Sequence, residues 1–174
     1  MARLTHALAL VAALGLVAGC SNPDRFGGAG AGAGGPGGFG IGQSGLGDVN
    51  DPTSPAYFQN RVGDRVFFTV DSSTLTPEAR QTLVAQARWL NDNPGFRIII
   101  EGHADERGTR EYNVALGARR ANAVQEFLST QGIAIGRMRT VSYGKERPVE
   151  ACPEARCWDI NRRAVTVVSL GGGV

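Results

Sequence analysis

Residues 27–47 read GGAGAGAGGPGGFGIGQSGLG, and this stretch limits the fold of the chain more than any other. Twelve of the 25 glycines of the 174-residue protein fall in it. Glycine loses more backbone freedom on ordering than any other residue, and the few apolar side chains present cannot offset that loss. The stretch is therefore expected to be a flexible tether, with whatever folds lying C-terminal to it. The whole chain is 42% hydrophobic, and the length outside the tether is enough to bury one modest core.

The tether has something to hold at its other end. Met1 to Gly19 carries Arg3 and then an uncharged apolar run from Ala7 to Ala18, the organisation of a signal peptide and too short for a comfortable membrane span. It ends in Val17-Ala18-Gly19-Cys20, which resembles the lipobox of bacterial lipoproteins. The resemblance implies a mature chain beginning at Cys20, with covalent N-acyl and S-diacylglycerol lipid on that residue. Each buried methylene adds roughly 0.8 kcal/mol, so several acyl chains anchor stably where one would be marginal. Ser21 stands where an aspartate would signal retention, which by the bacterial sorting rule implies the outer membrane, with the domain facing the periplasm. The expected organisation is a signal peptide at 1–19, a lipidated N-terminus and tether at 20–62, and one domain at 63–174.

The net charge of +2 becomes +1 when Arg3 leaves, so no bulk basic field points to nucleic acid. Export also affects the reading of Cys152 and Cys157 in CPEARC: in an oxidising compartment this spacing favours a small disulfide loop. A metal pair is the alternative, but no further cysteine or nearby histidine completes a tetrahedral set.

Regular patterns begin near Asp64. The stretch DRVFFTV, Asp64 to Val70, reads as a strand. Thr76-Pro77-Glu78 opens a helix with an N-cap, proline at the first position and an early acid, and Ala79, Leu83, Ala87 and Leu90 form its apolar stripe until Asn93-Pro94-Gly95 stops it. FRIIIEG, Phe96 to Gly102, is a second strand whose run of isoleucines suggests burial on both sides. A second helix runs from about Arg110 to Gln131, between a Thr109 cap and Gly132. Strands at Arg137–Gly144 and Arg162–Leu170 follow, with the cysteines in the loop between them. The order βαβαββ predicts an α+β fold, a two-layer α/β sandwich with two helices on one mixed four-stranded sheet.

At 100° per residue, Tyr112, Leu116, Ala123 and Phe127 share one face of the second helix, with Arg120 in the middle and Arg119 at the edge. An unpaired guanidinium there would be costly, and no acid lies three or four residues away. Asp105, in the loop before the helix, is the nearest partner in sequence. The two residues either form an internal ion pair or flank a pocket for a ligand bearing both charges, ammonium to Asp105 and carboxylate to Arg120.

The motifs EGHADERGTREYNVALGARRANAV, TVSYGKERP and NRRAV, in this order between Asp64 and Leu170, resemble the peptidoglycan-associated lipoproteins of the OmpA-like domain family. The resemblance implies non-covalent binding of the diaminopimelate residue of peptidoglycan stem peptides. It assigns the ammonium to Asp105 and the carboxylate to Arg120, with Asn113 and Leu116 shaping the wall and Phe68 packing against the peptide. The family's aspartate after that phenylalanine is Thr69 here. The resemblance further implies TolB and other Tol proteins as partners, and a tether between outer membrane and wall that supports envelope integrity and constriction at division. A general wall anchor outside the Tol complex is the alternative. On this reading Arg120→Leu would preserve the fold and abolish binding.

Three other readings are weaker. Glu101, His103 and Asp105 alternate, but Gly102 and the following turn argue against a metal face, and no metal or other cofactor is expected; His103 reads as a hydrogen-bonded structural residue. A peptidoglycan hydrolase would use Glu101 or Asp105 as general base. No serine or cysteine nucleophile has a recognisable context, and although an acid pair could serve a glycosidase, the resemblance points away from it and no catalytic residue is assigned. GKERP, Gly144 to Pro148, and NRR, Asn161 to Arg163, read either as solvated charged loops or as placing Arg162 or Arg163 at the edge of the same pocket.

Overall fold

The computed structural model of the protein describes residues 46–170. The signal peptide, Cys20 and the tether up to residue 45 lie outside them, as does the terminal GGGV. A helical turn, α1 (Pro55–Tyr57), continues into a π-helical turn at Phe58–Gly63 and is followed by β1 (Arg65–Phe67) and α2 (Pro77–Asp92). Then come β2 (Phe96–His103), α3 (Arg110–Thr130), β3 (Met138–Gly144), α4 (Ala155–Asn161) and β4 (Arg163–Leu170). The sheet order is β1-β4-β2-β3, with β4 antiparallel to both neighbours and β2 parallel to β3. This is the expected mixed four-stranded sheet in an α+β fold.

Both long helices begin as their sequences require. Thr76 Oγ1 accepts from the Ala79 N–H at 3.1 Å and Thr109 Oγ1 from the Tyr112 N–H at 3.2 Å. Gly132 (φ +93°) ends the turn after α3. The stripe Ala79, Leu83, Ala87 and Leu90 is buried as expected. On α3 the buried face is instead Asn113, Leu116, Gly117, Arg120, Ala121, Val124 and Leu128. Tyr112 is exposed and Ala123 and Phe127 only flank the core, so the true stripe is rotated by about one residue from the expected one.

Four further differences have physical reasons. The first strand is cut to Arg65–Phe67 because the Phe68 and Thr69 carbonyls accept from Arg162 and Arg120, and the chain then turns through Asp71, whose φ is +53°. On β2, Arg97 is exposed and Ile99 half-buried between the buried Phe96, Ile98 and Ile100, so the strand is covered on one side only. The cysteine loop contains α4, seven residues too short to show a helical stripe. The domain also starts earlier than residue 63: Ser54, Ala56 and Phe58 are buried, and the Trp89 indole donates to the Pro52 carbonyl at 2.7 Å. Phe58, Trp89 and Phe96 stack in sequence at 4.8 and 5.0 Å between ring centroids.

Candidate functional site

The loop after β2 carries the site, and the close approach of α3 to the sheet places it. A Cβ on Gly102 would lie 1.8 Å from the Gly117 carbonyl oxygen, so only glycine lets α3 settle this near β2. Beyond β2, Asp105 is 7% exposed and accepts from the Arg107 backbone N–H (3.1 Å), Arg107 Nη2 (2.8 Å) and Arg162 Nη1 (3.3 Å). Burial alone would raise its pKa; the hydrogen bonds from Arg107 and Arg162 outweigh it and hold the carboxyl below its ordinary range. Arg107 also lies over the Trp158 ring, 4.4 Å from its centroid. Asn113 Nδ2 donates to the Arg107 carbonyl at 2.7 Å and Lys145 Nζ to the Gly108 carbonyl at 2.7 Å, which ties the loop to α3 and to the end of β3.

A cleft of about 230 Å³ opens here, lined by Val70, Asp71, Asp105, Arg107, Tyr112, Asn113 and Leu116, among others. Three of the expected site residues, Asp105, Asn113 and Leu116, therefore meet at one place. Asp71, Tyr112 and Arg107 join them without having been foreseen. Asp71 accepts from the Tyr112 hydroxyl and is the only described non-glycine residue with positive φ. Its sequence signal was a polar DSS turn directly after the strand. Asp71 stands two residues beyond Thr69, so the cleft has a second carboxylate although the expected aspartate position does not.

Arg120 and Phe68 do not line the cleft. Arg120 is fully buried and donates to three backbone carbonyls, Ser72 (2.8 Å), His103 (2.7 Å) and Thr69 (3.2 Å). It makes no salt bridge with Asp105, so the internal ion pair is not formed; Asp105 pairs with Arg107 and Arg162 instead. Burial and the nearby Arg162 charge lower the Arg120 pKa to about 10, opposed by Asp105 and Asp71. Phe68 is 4% exposed because the pleat turns Phe67 outward and Phe68 into the core, where its ring lies 5.1 Å from the Arg120 guanidinium.

Of the two arginines expected at the edge, Arg162 reaches the site: it is 6% exposed and bonds Asp105, Asp159 and the Phe68 carbonyl. Arg163 points away and donates to the Arg147 carbonyl. Cys152 and Cys157 form a disulfide, Cα atoms 5.9 Å apart, at the start of α4. Among the described residues, the one convergence of three metal-ligand types is Glu150 with these two cysteines, whose sulfurs are bonded to each other. His103 differs from the expectation: it is 2% exposed, neither ring nitrogen has a hydrogen-bond partner, and its ring packs on Tyr143 at 5.5 Å.

Residues 67–157 match the OmpA family. A peptidoglycan-associated lipoprotein of Agrobacterium fabrum is 49% identical over 99% of this chain and 90% of its own length. That of Pseudomonas aeruginosa is 43% identical over 89% of this chain and 91% of its own. The crystal structure of the peptidoglycan-associated lipoprotein from Burkholderia pseudomallei is similar at a TM-score of 0.62 and 40% identity, covering 70% of this chain and 98% of that one.

Proposed function

Because this chain belongs to the OmpA family and groups there with the peptidoglycan-associated lipoproteins, we propose that it binds peptidoglycan non-covalently, as a wall anchor without catalysis. The observation that carries this reading is the cleft itself, where two carboxylates, Asp71 and Asp105, stand beside exposed Arg107. A ligand bearing an ammonium and a carboxylate on one carbon, as the side chain of diaminopimelate does, finds both complements there. The ammonium sits at Asp105 and Asp71, and Asn113 and Leu116 form the wall. The ligand carboxylate faces Arg107, in place of Arg120, which is buried behind the cleft with its donors on three carbonyls.

The outer part of the proposal concerns the chain before the domain. Lipid on Cys20 fixes one end in the outer membrane, the glycine stretch spans the gap, and the periplasmic domain holds the stem peptide. Family membership supports TolB and other Tol proteins as partners. Co-isolation of TolB with the full-length protein tests that part separately, and wall binding without it would place the anchor outside the Tol complex.

The direct experiment is co-sedimentation of the full-length protein with purified sacculi. The expected result is saturable binding with no muropeptides released, reduced in Asp105→Ala. Release of muropeptides, or equal binding by the variant, would overturn the reading.

A further inference from the structure

One face of the sheet is covered by helices, and the other is covered only at the end that carries His103 and Arg163. Gly102 abuts α3, Ser142 donates to the Val114 carbonyl on α3, and Thr166 donates to Gln86 on α2. Both long helices therefore lie on one side, and pleat alternation puts the intervening residues on the opposite side. There the strand pairings set Ile99 beside Val167, with Val165 next along the strand and Val141 beyond Glu101, each half-buried. Val165 lies between Arg65 and Glu101, and Ile99 between Val167 and Arg139.

Exposed arginines stand on three sides of this centre. Arg65 and Arg139 flank it on the edge strands and Arg97 closes one end beside Ser169; Arg163, at the other end, is 7% exposed and donates to the Asn161 and Arg147 carbonyls. One carboxylate, Glu101, lies within the patch. Arg65 is paired with Asp64, whereas the exposed Arg97 and Arg139 make no salt bridge among the described residues. The parallel pair β2–β3 adds to the imbalance, since parallel strands are ordinarily covered on both faces.

We propose that this face docks an amphipathic helix of another protein, with an apolar stripe over the aliphatic centre and aspartates or glutamates flanking that stripe to meet the arginines. An apolar centre within a rim rich in arginine is the composition of a protein interface, and guanidinium groups hold carboxylates bidentately. A second copy of this chain would set arginine against arginine. The chain's own residues 20–45 offer a single acid, Asp24, beside Arg25, and so cannot complement the rim. An acidic bilayer would meet projecting apolar side chains, whereas here the aliphatic residues are half-buried and Phe67 alone among the apolar residues of this face is exposed, at 46%. The surface is separate from the cleft, so its test is independent of wall binding.

The experiment places a benzophenone amino acid at Ile99 or Val167 of the full-length protein in its producing cells and maps the photo-adducts. The expected adduct is a helical segment of another protein in which acids flank an apolar stripe. It falls at least ten-fold in Arg97→Glu/Arg139→Glu, whose folding is checked by its melting curve, and recovers when the mapped acids are changed to arginine. No protein adduct, adducts only with phospholipid, with a second copy or with residues 20–45, or adducts indifferent to charge reversal would overturn the proposal.

Discussion

Arg162 Nη1 lies 3.3 Å from Asp105 Oδ2, across 57 residues of sequence, with 7% and 9% of the two side chains exposed. This bond joins the loop after β2 to the start of β4. It makes Asp105 both the acid of the cleft and a partner of a buried cation, so a substitution there acts on binding and on stability together.

Asp105→Ala should weaken binding of a diaminopimelate-containing muropeptide about 10- to 100-fold, the loss of a charged hydrogen bond contributing about 1.5–3 kcal/mol. Calorimetric titration measures it, and a melting curve establishes that the variant is folded. Unchanged affinity would remove Asp105 from the site. Asp71→Ala should lower affinity less, since Asp71 is more exposed than Asp105.

Arg120→Leu is now expected to damage the fold, contrary to the sequence-based expectation. It strips the donors from three carbonyls, Ser72, His103 and Thr69, and each buried acceptor left unpaired costs about 1–3 kcal/mol. Arg120→Lys should rescue little, because one ammonium cannot span three acceptors placed for a planar fork. Urea denaturation of both variants decides it; wild-type stability in either would contradict the geometry.

Stability should decline as pH falls from about 6.5 toward 4. Burial, with Arg163 and Arg147 nearby, lowers the His103 pKa to about 4, below its ordinary value of about 6.5 in the unfolded chain. The unfolded state therefore binds the extra proton through that window, and up to about 3 kcal/mol of the stability present above it is lost on the way down. Asp105, with its pKa held low, adds a further loss only at lower pH. Melting temperature against pH for the wild type and His103→Gln tests this: the slope between 6.5 and 4 should flatten in the variant.

Cys152→Ser/Cys157→Ser should destabilise the domain by about 2 kcal/mol, the chain-entropy value for so short a loop. The bridge fixes the start of α4, whose far end carries Asn161, bonded to the Val149 N–H and to Glu106, and then Arg162. A denaturant midpoint unmoved by the double substitution would show that α4 is held without it.

Gly102→Ala should prevent folding outright, because a Cβ 1.8 Å from the Gly117 carbonyl oxygen cannot be accommodated without moving α3 off β2. Soluble, cooperatively melting Gly102→Ala protein would show that this contact is looser than described.

What the sequence determined by itself is what local chemistry decides. The Thr76 and Thr109 caps, the α2 stripe, the strand positions and the mixed two-layer fold were all legible, because caps and periodicity act within a few residues. Asp105 was legible from the loop before a helix face that carries a lone guanidinium, whereas Asn113 and Leu116 joined it only through the resemblance to the family's motif. Tertiary structure alone decided the rest. Asp71 reaches the cleft through a left-handed turn, Arg162 reaches Asp105 from β4, and Arg120 spends its donors on carbonyls 17 to 51 residues away. A guanidinium on a helix face announces that it needs partners. Which acceptors it finds depends on how closely the Gly102–Gly117 contact lets α3 approach the sheet, a distance that no spacing along the chain encodes.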